Sequence, residues 1–179
     1  MRVFAVAESF RKAAKSSVLA GVVMRRDLVI DGMAFGRATV GGDDATDTIV
    51  SMCQSLERDD INCILLGGLV ISMYNIIDGQ QISHDTGLPV VAITFEDSKG
   101  LEGAIRHHFS KGWEEKVERY RKLGERERVA LRTGKPLYIR YWGITQKRAL
   151  AVLNAFTLQG ALPEPVKVAK IAARSALSL

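Results

Sequence analysis

The apolar positions of this chain change their period from one end to the other. Arg2-Val3-Phe4-Ala5-Val6-Ala7 is almost continuously apolar, as a buried strand is, and Glu8 breaks the run near its end. Ser17 to Met24 is apolar and rich in β-branched residues. Arg25-Arg26-Asp27 makes a turn, and Leu28 to Phe35 is the next strand. Three strands joined by short turns predict an antiparallel meander. Gly41-Gly42-Asp43-Asp44 then breaks the pattern. Asp43 or Asp44 caps a helix from about Ala45 to Arg58, whose Ile49, Val50, Cys53 and Leu56 follow helical spacing.

Strands and helices alternate from there on. Asn62 to Gly67 is an unbroken apolar run suited to a buried parallel strand. Ile71 to Ile82 is read as helical, at least in part. Val90 to Phe95, introduced by Pro89, is another buried strand. Asp97 or Ser98 is placed to cap a helix reaching His108, and Trp113 to Leu123 is a charged amphipathic helix. Leu137 to Trp142 alternates as a strand, and Thr145 caps a helix to about Thr157. Leu162-Pro163-Glu164-Pro165 opens the last helix, which runs to Leu177, with proline in its first turn and an acid at the positive end of its dipole. A meander followed by alternation predicts an α/β protein with a mixed sheet flanked by helices.

At 179 residues with 47% hydrophobic content, the chain is expected to form a single domain over 1–179 with a sizeable core, which excludes a disordered chain. The first strand is too short for a secretory h-region, and the run Ile64 to Ile71 is far short of a membrane span, so a cytoplasmic protein without a membrane partner is expected. Cys53 and Cys63 sit in apolar elements without zinc-finger spacing and read as buried thiols. The net charge of +5 is concentrated between Lys111 and Arg140, where ten cations face five anions. Such a localised basic face favours nucleic acid as a partner. Intrahelical pairs such as Glu115–Arg119 support the plainer reading of a solvated helix.

Two groups of residues carry candidate chemistry. Glu8, at the tip of the first strand, is followed by Arg11, Lys12 and Lys15, a combination that suits a divalent ion and a phosphate as well as it suits a solvated turn. On the last helix Lys167, Lys170 and Arg174, spaced three and then four apart, form one basic stripe, either over phosphates or snorkelling from a core helix. Ser83-His84-Asp85 resembles a triad in composition alone, since neighbours in sequence point different ways. His107-His108 lack partners at zinc spacing. Gly67-Gly68 allows close backbone approach without a dinucleotide or P-loop fingerprint. Tyr138, Arg140, Tyr141 and Trp142 suit base stacking or core packing.

Four stretches, spread over nearly the whole chain, resemble one family: Arg2 to Phe10; Gly42-Asp43-Asp44-Ala45-Thr46; Leu65-Leu66-Gly67-Gly68 through Tyr74-Asn75-Ile76-Ile77-Asp78; and Pro163-Glu164-Pro165-Val166-Lys167-Val168-Ala169. The order, with these motifs, resembles the ribonuclease-H-like fold. More narrowly, it is similar to an archaeal family described as an endonuclease acting on deoxyuridine and related to endonuclease V. The resemblance implies metal-assisted phosphodiester hydrolysis, with Mg²⁺ or Mn²⁺ on carboxylate oxygens. It implies Glu8, Asp43 and Asp44 as catalytic residues, Glu8 and Asp44 as metal ligands with Asp47 as a third option, and Arg11, Lys12, Lys167, Lys170 and Arg174 as phosphate contacts.

The chain also departs from the endonuclease V pattern. The expected aspartate falls at Ala7, an Asp-Gly pair falls at Gly67-Gly68, a lysine falls near Phe95, and a histidine or acid falls at Lys170. Three expectations follow. One is a metal-dependent endonuclease on DNA with deaminated bases, uracil or hypoxanthine. Another is a catalytically impaired nucleic-acid-binding protein on the same fold. A third and weaker one is a small-molecule or protein-interaction domain.

Overall fold

The computed structural model describes residues 1–95 and 100–178. Three antiparallel strands open it: β1 (Arg2–Ser9), β2 (Ser16–Arg25) and β3 (Ile30–Thr39). Helix α1 (Ala45–Ser55) crosses to β4 (Cys63–Leu66), which pairs in parallel with β1. A small hairpin, β5 (Val70–Ile71) and β6 (Asn75–Ile76), leads into α2 (Gly79–Thr86), and β7 (Val90–Thr94) adds in parallel to β4. After α3 (Glu102–His108) and α4 (Trp113–Lys122), β8 (Glu127–Ala130) and β9 (Pro136–Trp142) close the sheet antiparallel. Helices α5 (Gln146–Ala155) and α6 (Glu164–Ala176) follow. The main sheet runs β3-β2-β1-β4-β7-β9-β8, the mixed sheet flanked by helices that the pattern predicts.

Alternation along the central strands divides the core in two. Phe4, Val6, Ile64 and Leu66 face α1 and α2, where Ile49, Met52 and Ile82 meet them. Val3, Ala5, Leu65 and Ile93 face the other way, onto Leu153, Phe156 and Val166 of α5, its C-terminal end and α6. A two-residue period explains both layers, because successive strand side chains take opposite faces. Cys53 and Cys63 are buried free thiols, and burial pushes the Cys63 thiol up to about 12.

The structure departs from the sequence pattern in a few places. Residues 71–82 are not helical at their start: the β5–β6 hairpin occupies that stretch, and the helix begins only at Gly79, where the Asp78 side chain accepts from the Gln81 amide. The hairpin turns through Ser72, Met73 and Tyr74, all left-handed, with φ of 44, 56 and 70°. Strand β8 has no predicted counterpart, because three of its four residues are exposed and leave no apolar run to read. The Asp97 or Ser98 cap lies outside the described residues, and α3 begins at Glu102. Asp44 does stand at the N-cap of α1, but its side chain caps nothing there.

Candidate active site

Parallel strands β1 and β4 end side by side, and a cavity of about 180 Å³ opens beyond them. Ala7 and Glu8, Leu66, Gly67 and Gly68, and Lys170 of α6 line it. The glycines make its floor. A Cβ on Gly67 would stand 3.1 Å from Val166 Cγ1 and 3.4 Å from the Val6 carbonyl, so its absence lets α6 settle onto the strand ends. Gly68 has φ +155° and faces open space. Apolar side chains, Leu19, Ile49, Val70, Ile71 and Phe95 among them, line much of the rest.

Glu8 is the distinctive group in this cavity. Its Oε2 is buried and has no hydrogen-bond partner among the described residues, and the same holds for the nearby Ser72 Oγ. Burial pushes the Glu8 carboxyl up. The Ser72 amide and hydroxyl and the charge of Lys170 pull it back without cancelling that shift. Ser72 is thus near enough to influence the carboxylate, yet the two do not meet hydrogen-bond geometry. An unsatisfied buried acceptor costs about 1–3 kcal/mol. Ser72 also begins the left-handed run, in which each non-glycine residue costs roughly 1–3 kcal/mol. Strain and an unmet acceptor therefore lie side by side.

A polar knot holds that hairpin. Asn75, fully buried, donates from Nδ2 to the Thr39 carbonyl at 2.9 Å and to Asp44 Oδ1 at 2.8 Å. Its Oδ1 accepts from the Ala45 amide at 3.2 Å. Lys116 of α4, 6% exposed, donates to Gly42 O at 2.8 Å, Asp43 Oδ1 at 2.9 Å and Tyr74 O at 3.2 Å.

The expected site residues divide accordingly. Glu8 and Lys170 share the cavity. Asp44 does not line it. Its oxygens accept from the Thr39 amide, the Thr39 hydroxyl and the Asn75 amide. Burial raises the Asp44 pKa, but these bonds outweigh it and the net shift is downward. Asp43 pairs with Lys116 and, at 3.1 Å, with Arg119. Asp47 accepts from Gln81 Nε2 at 3.1 Å and lines a separate groove with Asp43 and Asp78. Among the described residues no three His, Cys, Asp or Glu side chains cluster as a metal seat.

The expected cations are spread more widely. Arg11 and Lys12 are exposed in the turn just past β1, and Arg174 is exposed on α6. Lys167 is tied to Glu164 Oε1 at 2.6 Å. Ala7 packs with Val22 and Ala169. His84 pairs with its exposed neighbour Asp85 at 2.9 Å on the surface of α2. Sequence reasoning missed Ser72, Asn75 and Lys116. Lys116 sits among other charges of an amphipathic helix, and no local signal separates it from them.

A mixed sheet whose first strand delivers an acid to a cavity under the last helix defines a ribonuclease-H-like α/β protein. The sequence profile of the family described as Endonuclease dU matches residues 1–177, and the chain belongs to that family. A UPF0215 protein of Pyrobaculum calidifontis is 41% identical over 170 residues, covering 94% of this chain and 93% of that one. The crystal structure of a protein of unknown function from Archaeoglobus fulgidus superposes with a TM-score of 0.84 at 26% identity, over 98% of each chain. Endonuclease V of Ciona intestinalis, in complex with a 24mer DNA containing an inosine followed by a ribo-adenosine, superposes with a TM-score of 0.64 at 15% identity. That match covers 99% of this chain and 85% of that one, and it establishes the shared fold. No helix among the described residues is long and apolar enough to cross a membrane.

Proposed function

We propose that this protein is a phosphodiester nuclease acting on DNA with deaminated bases, uracil or hypoxanthine, with Glu8 at its centre. One observation carries the reading: Glu8, with one carboxylate oxygen buried and without a partner, lines the same cavity as Lys170, Gly67 and Gly68. Family membership supports a nuclease.

The residues present fit one hydrated divalent ion and not a pair. Mg²⁺ keeps several waters and is ordinarily held by one or two carboxylates together with substrate phosphates. The Glu8 carboxylate would hold it. Asp44 and Asp43 are engaged in internal bonds and offer no second seat in this cavity. When bound, Mg²⁺ or Mn²⁺ supplies Lewis-acid stabilisation of the charge that develops on phosphate.

The chain's own residues do the rest. Lys170 neutralises the phosphate entering the cavity. Gly67 and Gly68 let a sugar–phosphate strand come up to the strand ends without a side chain in the way. Arg11 and Lys12, exposed beyond β1, extend the positive field along the strand's path.

The test offers uracil- and hypoxanthine-containing duplexes with Mg²⁺ or Mn²⁺ to wild type and to Glu8→Ala. Cleavage by wild type and its loss in the variant is the expected result. Equal cleavage by both, or none by either, removes the nuclease reading. A second reading is favoured by the internal engagement of Asp43 and Asp44: a protein that binds nucleic acid without cutting it. Salt-sensitive binding with no cleavage in any metal establishes that one instead.

A further inference from the structure

A second cavity, of about 310 Å³, adjoins the first. The two share Gly67, Gly68, Val70 and Phe95, so the glycine floor of the Glu8 site is also the wall of its neighbour. The far side of this neighbour is formed by Tyr120, Arg126 and Arg140. Arg140 projects from β9, the strand paired antiparallel to β7, with Ala92 opposite. It is part-buried and spends Nε on the Gly124 carbonyl at 2.9 Å. No carboxylate among the described residues forms an ion pair with it, and among them no acceptor meets its two terminal nitrogens. Arg126 brings a second guanidinium to the same cavity, stacked 5.0 Å from the centroid of the Tyr138 ring.

The part-buried Arg140 guanidinium faces this cavity with both terminal nitrogens free of any carboxylate among the described residues. Burial, and the repulsion of Arg126, hold Arg140 below the ordinary arginine range. A guanidinium is donor-only, and its planar fork matches phosphate oxygens in pairs. The remaining walls are largely apolar (Leu69, Val70, Ile93, Phe95 and Leu101), which strengthens any charge interaction made there.

We infer that the Arg140 cavity is a phosphate-binding subsite that grips a backbone phosphate of the nucleic acid strand whose scissile phosphate lies at Glu8 and Lys170. This rests on the nuclease reading for its geometry. It assigns β9 a role in fixing register, since phosphate contacts position a strand and leave sequence unread.

Binding is the readout, so cleavage does not enter. Fluorescence anisotropy in EDTA follows a uracil-containing duplex bound to wild type, Arg140→Gln and Arg140→Lys across a salt series. Thermal melts establish that each variant is folded. The expected result for Arg140→Gln is an affinity loss of about tenfold or more. Its log–log salt slope is also shallower by about one. Arg140→Lys keeps the slope and loses affinity, because the charge stays and the fork goes.

A folded Arg140→Gln with the wild-type slope overturns the inference. If that variant does not fold, wild-type affinity in Arg140→Lys overturns it. Wild type that is stabilised by inorganic phosphate yet binds no duplex also overturns it, and makes the cavity a site for free phosphate. A shallower slope in a protein that cleaves nothing leaves the inference standing and removes the nuclease reading.

Discussion

Glu8 and Asp44 are both acids near the end of an element, and the structure treats them oppositely. Asp44 is surrounded by donors: an amide and a hydroxyl from Thr39 and the side-chain amide of Asn75. Its pKa falls and its charge is bound into the fold. Glu8 keeps a buried oxygen with no partner, and burial raises its pKa. A satisfied carboxylate stabilises, whereas an unsatisfied one costs free energy in the resting protein. The number of acids near a site is therefore a poor guide to its chemistry.

The comparison can be broken most decisively at Glu8. In Glu8→Gln, cleavage is expected to fall by about a thousandfold, with the thermal midpoint unchanged or higher. A large drop in melting temperature would show that Glu8 serves the fold after all. Asn75→Ala should do the reverse. Loss of three buried bonds is expected to cost about 3 kcal/mol in denaturant melts, with cleavage at low temperature preserved. Unchanged stability there would mean the knot holds nothing.

Smaller effects sharpen the contrast. Met73→Gly removes the penalty of a left-handed side chain and is expected to stabilise by about 0.5–1 kcal/mol, which a melt resolves. The smallest effect is in acid. The folded pKa of Asp44 lies below its unfolded value, so its contribution is present above about pH 4 and is lost as pH falls through the folded value. Acid-unfolding curves of Asp44→Asn should lack that component and otherwise parallel wild type.

Much of this was legible in the chain. The first three strands are, because apolar runs broken by Arg25-Arg26-Asp27 leave few other foldings. The Pro-Glu-Pro start of α6 is also legible, with Pro165 in the first turn. Glu8 could be singled out as an acid ending a buried strand. The residues from Val70 to Asp78 could not be read, because their path depends on distant partners. Asn75 meets Asp44 from 31 positions away, and Lys116 reaches Tyr74 from 42. Asp44 was found by local rules for helix starts, yet its work is set by Asn75, which no local rule sees. Arg140 was visible among aromatic residues, but its place beside the glycine floor depends on β7 and β9 pairing antiparallel.

The two floor glycines also bear on what a substitution there would cost. An aspartate at Gly67 would press its Cβ to 3.1 Å from Val166, and one at Gly68 would need a backbone φ of +155° that side-chain-bearing residues rarely adopt. No single codon change therefore installs an acid there at no cost. At Gly67 the Val166 side chain would have to give way by a few tenths of an ångström, and trimming it instead would leave a cavity under α6. The two glycines thus resist an added carboxylate for different reasons, one through its neighbour Val166 and one through its own backbone.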